Sequence, residues 1–141
     1  MSIRVHKPET VRLPLSGGDS ILVKQYLTAG EYRAVMRAAA RPIATGATPS
    51  LELDPDAAGV ALVLAYLLDW TFQDADGSPL RIADQSPETV KAVLERLDAD
   101  AYMEVQGAIQ QHQIDTKAAL AREKKTAPGV SSLDEILVSA V

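Results

Sequence analysis

Histidines 6 and 112 are the only side chains in this 141-residue chain whose ordinary pKa suits a general base near neutral pH, and there is no cysteine. A base or nucleophile needs a partner held within hydrogen-bond reach. His6 lies in an N-terminal arm, and His112 lies among Gln106, Gln110, Gln111 and Gln113. Each reads as an ordinary exposed residue, and two distant histidines without a thiolate leave no ligand set for zinc or another transition metal. Asp74-Ala75-Asp76-Gly77 invites a calcium reading. With Gly77 as the fixed glycine of an EF-hand loop, however, the first and last ligand positions fall on Phe72 and Ala83, neither of which carries a carboxylate. A hairpin-type or Asx turn is the simpler account. Gly17-Gly18 lacks the lysine and the serine or threonine of a phosphate loop. No enzymatic activity and no cofactor are therefore expected.

Charge excludes further classes. The chain has 14 basic and 19 acidic residues, a formal net charge of −5, and only 4% aromatics. A general phosphate-binding surface and a base-stacking platform are both disfavoured. One local exception is the basic stripe Arg33, Arg37 and Arg41, for which a solvated helix face is the common explanation and an acidic partner or nucleic acid the alternative. The N-terminal MSIRVHKPET has no apolar leader. The longest apolar run, Ala57 to Leu68, falls short of the roughly 20 residues a membrane span needs. A soluble protein is expected.

The elements that would carry these residues follow from periodicity and punctuation. Val11, Leu13 and Leu15 alternate with Arg12 and Pro14, Ser16-Gly17-Gly18-Asp19 makes a turn, and Ser20 to Gln25 resumes in apolar residues. This is a hairpin (11–25) whose first strand Pro14 confines to an edge. Thr28 and Glu31 form a capping box that starts a helix with Tyr32, Val35, Met36 and Ala39 as its buried stripe, ended by Pro42. Residues 43–53, rich in Gly, Thr, Ser and Pro, read as a connecting loop. Asp54, Pro55 and Asp56 then give a strong helix start. The central helix runs over 54–70, with Val60, Val63, Leu64, Leu67 and Trp70 as structural core. Ser86-Pro87 starts a short amphipathic helix, and a last, unusually polar helix runs from about 101 to 125 with Tyr102, Val105, Ile109 and Leu120 on its apolar side.

These elements predict a mainly α fold, about four helices packed around the central apolar helix (54–70), with the N-terminal β-hairpin (11–25) and a small strand pair near 71–82. One globular domain would cover 1–122. Residues 123–141 would be a Pro-Gly linker and a short amphipathic tail, in which Ser132 to Glu135 is a second capping box and Leu133, Ile136 and Leu137 fall at helical spacing. Two turns are too short to stand alone. The tail must be disordered, dock on its own domain, or contact a partner. As candidate partner contacts the sequence offers Leu133, Ile136 and Leu137, with Ile109 and Leu120 on the polar last helix.

Three segments carry a resemblance. LVKQYLTAGEYRAVMRAA, LAYLLDWTFQDADGSPLRI and LDADAYMEVQGAIQQH, in this order over roughly residues 8 to 115, resemble tail assembly chaperones of long-tailed, siphovirus-like bacteriophages and prophages. The Leu67–Trp70 sequence with its DADG turn is the most specific part, and the capped helix at Thr28 and Glu31 the second. The resemblance implies a non-enzymatic role in the host bacterial cytoplasm: binding the tape-measure protein, keeping it soluble, and promoting polymerisation of tail-tube protein around it. It also implies absence from the mature virion, and contacts with a neighbouring copy are a further expectation; no nucleic-acid or membrane partner is expected, from the net charge and the short apolar run. Many such chaperones also have a longer form made by ribosomal slippage, for which Glu123-Lys124-Lys125 would permit an A-rich site. The alternative is a structural virion component, a head-to-tail completion or minor tail protein, which would stay in the particle. A small regulator using the arginine stripe on nucleic acid is disfavoured by the net charge.

Overall fold

The computed structural model describes residues 4–45 and 48–125, with side chains described for all of these except 43–45, 48–50 and 123–125. In chain order the elements are β1 (Thr10–Pro14), β2 (Ser20–Lys24), α1 (Ala29–Ala39), β3 (Ala40–Thr45), β4 (Thr48–Leu53), α2 (Pro55–Tyr66), β5 (Leu67–Trp70), α3 (Pro87–Arg96) and α4 (Ala99–Lys125). A three-stranded antiparallel sheet has the order β1-β2-β5, and β3 and β4 form a separate two-stranded sheet. The fold is therefore an α and β mixture, and the mainly α expectation is corrected. The strand pair expected near 71–82 is likewise reduced to one bridge, Gln73 with Pro79. Contacts divide the chain into two compact units, 1–109 and 110–141.

Two segments account for the difference. The central helix stops at Tyr66, and Leu67 (φ −71°, ψ 126°) turns the chain into β5. No glycine or proline marks that point, and a short apolar run fits helix or buried strand equally by periodicity. Tertiary pairing decides it. Trp70 lies opposite Ile21, Asp69 opposite Leu22 and Leu67 opposite Val23, so Leu68 is an extra residue, a β-bulge. Since Leu67 and Trp70 are three apart, a regular strand would send them to opposite faces. The bulge returns both to one face, and both are buried.

The second segment, 40–53, is a hairpin rather than a loop. Pro42 disfavours helical dihedrals at Arg41, so α1 ends at Ala39 and the chain leaves it extended. Arg41 lies opposite Glu52 and Pro42 opposite Leu51. The Asp54 N–H donates to the Ala39 carbonyl at 2.7 Å, so hydrogen-bonded pairs fall at odd β3 positions and Pro42 occupies a non-bonded one. Its missing N–H would have pointed outward. Pro14 follows the same rule: the Leu15 N–H donates to Asp19 O at 2.8 Å, Pro14 faces Ser20, and β1 is an edge strand as its proline requires.

Within the 1–109 unit the core gathers on one face of the larger sheet. Ile21 and Val23 of β2, Val63 of α2, and Val105 and Ile109 of α4 are fully buried. Tyr66, Leu67, Trp70, Ile82, Val90, Val93 and Leu94 complete the core. The Trp70 indole N–H donates to the Leu80 carbonyl at 2.7 Å, and its ring meets Phe72 at 5.0 Å and 47°. The chain folds back over Trp70 because Gly77 turns it (φ 84°), with the Ser78 N–H donating to Asp76 Oδ1 at 3.0 Å. At Gly59 the Gln106 side chain of α4 lies directly over α2: a Cβ there would stand 2.0 Å from Gln106 Nε2, the far end of a flexible side chain that would have to swing aside.

Three helix starts are where the sequence places them, and α4 begins at Ala99, two residues ahead of the expected start. The capping box at Thr28 is complete, with Glu31 N–H to Thr28 Oγ1 at 3.2 Å and Thr28 N–H to Glu31 Oε1 at 3.0 Å. Asp54 accepts from the N–H groups of Asp56 and Ala57, Ser86 from Thr89, and Asp98 from Ala101. Glu31 also pairs with the Lys24 ammonium, joining β2 to α1. Burial alone raises the Glu31 pKa, but the hydrogen bonds from Lys24 and Thr28 and the Lys24 charge outweigh it and hold the carboxyl below its usual range.

A depressed folded-state pKa contributes stability that is present above the unfolded value and lost as pH falls through the folded one. Glu31→Gln should therefore lower stability by on the order of 1 kcal/mol at pH 7, with the difference from wild type closing below about pH 4, as read by urea unfolding at both pH values. Trp70→Ala should cost about 3–5 kcal/mol, a large part of the roughly 5–15 kcal/mol of a typical domain. An unchanged urea midpoint for a folded Trp70→Ala chain would show that Trp70 is not part of the core.

Candidate interaction surface

The groups that could do chemistry are taken up by structure. The His6 ring stacks on Tyr26 at 4.3 Å and 25°. His112, expected to be exposed, is instead buried in α4, and its backbone carbonyl accepts from the Thr116 hydroxyl at 2.8 Å. Asp74 caps its own turn through the Ala75 N–H and lies 3.5 Å from Arg96. Asp76 is held below its usual pKa by the Ser78 hydroxyl and backbone N–H. Among the described residues no group of three or more His, Asp or Glu side chains could hold a metal ion.

An open cleft of about 630 Å³ in the 1–109 unit is lined by Asp19, Thr71, Phe72, Asp98, Asp100 and Glu104, among others. Three of its carboxylates already have structural partners. Asp19 accepts from the Thr71 hydroxyl at 2.9 Å, Asp98 caps α4, and Glu104 accepts from the Ser16 hydroxyl at 2.8 Å and from the Ser16 backbone N–H. Asp100 stands in the first turn of α4, where a negative charge suits the helix dipole. The cleft is what remains where the Gly17-Gly18 turn is tied to the start of α4.

Besides exposed Val5, Met103 and Ile114, the described surface leaves apolar and basic groups open on α1 and β4. Only Val35 and Ala39 of α1 are buried, whereas Tyr32 and Met36, expected on its buried stripe, are 47% and 40% exposed. Leu51 and Leu53 of β4 are 76% and 58% exposed. By register they share one side of the hairpin with Ala40 and Pro42, and Arg41 and Glu52 stand on the other, 3.1 Å apart. Arg41 therefore leaves the expected basic stripe, because the helix that would have carried it has ended. Arg33 and Arg37 remain, exposed and without an acidic partner among the described residues.

The remaining candidates separate by burial. Ile109, expected as a partner contact, is fully buried in the core, because α4 turns that side inward. Leu120 is half-buried on α4. Leu133, Ile136 and Leu137 lie outside the described residues. Of the expected core, Val63, Leu67 and Trp70 are buried, Leu64 packs against them partly buried, and Val60 is half-buried. The hairpin was the missed element, and its signal was the apolar-acidic-apolar alternation Leu51-Glu52-Leu53. Compared with protein-family models, curated proteins and solved structures, the chain matches none. Among the described residues no helix is long and apolar enough to cross a membrane.

Leu51→Asp, Leu53→Asp and Tyr32→Asp should each shift unfolding by no more than about 0.5 kcal/mol, the usual range for surface positions. A loss of 2 kcal/mol or more in urea unfolding of the isolated chain would mean that the side chain is covered rather than open.

Proposed function

We propose that this chain is a non-enzymatic tail assembly chaperone of a long-tailed bacteriophage or prophage. In this reading it binds the tape-measure protein in the host bacterial cytoplasm, keeps it soluble while tail-tube subunits polymerise around it, and is absent from the finished particle. The observation that carries the reading is the exposed apolar set Tyr32, Met36, Leu51 and Leu53 on α1 and β4. A carrier for a long amphipathic helix needs open apolar anchors, with those on a helix at spacings of three and four. The reading also draws on the resemblance carried by the capped α1 segment and the Leu67–Trp70 segment with its turn. Carboxylates engaged in caps, turns and ion pairs fit a binding role better than catalysis.

Co-expression with the tape-measure protein of the same phage should raise its soluble fraction several-fold, measured by sedimentation of lysates, and mass spectrometry of purified particles should not find the chain. A tape-measure protein that stays in the pellet, or a chain retained in the particle as a head-to-tail or minor tail component would be, overturns the proposal.

A further inference from the structure

We infer that the outward side of α1 is the docking surface for an acidic amphipathic helix of the client. This inference rests on the chaperone reading and names the kind of segment that its surface takes. Successive residues of a helix are about 100° apart, so Tyr32 and Met36 form a stripe next to buried Val35 and Ala39, and Arg33 and Arg37 form the next stripe beyond. The apolar side of the helix thus continues from the core out to solvent and is bordered by two guanidinium groups. Two parallel rows at i and i+4 are the ridges that a second helix packs against.

The charge decides what that helix must carry. The chain as a whole is acidic, with 19 acidic against 14 basic residues. Lys24 is paired with Glu31, Arg41 with Glu52, and Arg96 with Asp74. Arg33 and Arg37 have no such partner among the described residues. Exposed Arg81 and Lys91 have no ion pair among the described residues either, and what sets Arg33 and Arg37 apart is that they border the exposed apolar stripe of α1. A client helix with Asp or Glu beside its apolar ridge would pair with them as it buried Tyr32 and Met36, whereas a Lys-bordered helix would set like charges together. Guanidinium groups suit this role because their planar fork binds a carboxylate through two hydrogen bonds.

The test titrates the full chain into fluorescein-labelled amphipathic peptides of roughly twenty residues, with the same Leu ridge bordered by Glu in one and Lys in the other, read by fluorescence anisotropy. The Glu peptide should bind at least about tenfold more tightly, with affinity falling as salt rises. Arg33→Glu with Arg37→Glu should reverse the preference, and Tyr32→Asp with Met36→Asp should weaken both peptides while circular dichroism stays unchanged. Equal binding of the two peptides, or a preference that survives charge reversal, overturns the inference. So does a duplex DNA that binds more tightly than the Glu peptide, self-association that the same substitutions abolish, or peptide binding that appears only after Leu133, Ile136 and Leu137 are replaced by Asp. Lost preference with tape-measure solubility intact rejects the surface alone; retained preference without tape-measure solubility rejects the chaperone reading alone.

Discussion

Strand β2 has neighbours on both sides, and the burial of its two inward residues is the constraint on which the rest of the unit depends. Ile21 and Val23 lose all contact with solvent only because Val11 and Leu13 lie beside them on β1, and Leu67 and Trp70 on β5. Burying each side chain is worth about 1.5–3 kcal/mol. That gain is available only if the chain abandons helix after Tyr66 and places one extra residue, Leu68, in the ladder. The bulge aligns Leu67 and Trp70 on the inward face, and Trp70 then draws the 71–82 segment over itself through the Leu80 carbonyl.

The same constraint shapes what lies next to the sheet. Lys24, at the end of β2, meets Glu31 in the first turn of α1, so the start of that helix is tied to the sheet by a capping box and an ion pair together. Val35 and Ala39 are the residues of α1 that go inward. Pro42 then turns the chain into a hairpin whose apolar side, with Leu51 and Leu53, is left open. A two-stranded hairpin is marginal in water by itself, and here it is anchored by the backbone bond from Asp54 to Ala39 at its base.

Many polar groups in the 1–109 unit serve the backbone. Thr28, Asp54, Ser86 and Asp98 cap helices, Asp76 holds a turn, and Glu104 secures the loop at Ser16. On α1, Tyr32, Arg33, Met36 and Arg37 are left exposed by this arrangement.

Local chemistry in the sequence determined the helix starts, the Gly-Gly turn, the β1–β2 hairpin and the edge position of β1, because a cap, a positive-φ turn and a proline each act within a few residues. It also marked Val63, Leu67 and Trp70 as core, since a broad apolar run must be covered whatever its secondary structure. Tertiary structure alone decided that Leu67–Trp70 is a strand, that 40–53 is a hairpin, that Ile109 faces inward and that Tyr32 and Met36 face outward. Two of these depend on partners far away in sequence, β2 for Leu67–Trp70 and the packed core for Ile109; the 40–53 hairpin is a nearer pairing whose only sequence mark was the Leu51-Glu52-Leu53 alternation. Arg41 shows the same limit within the hairpin, because it belongs to the arginine stripe only if α1 continues past Ala39, and Pro42 together with Glu52 takes it into a ladder. Periodicity records which residues avoid water, and pairing across the chain decides which of them succeed.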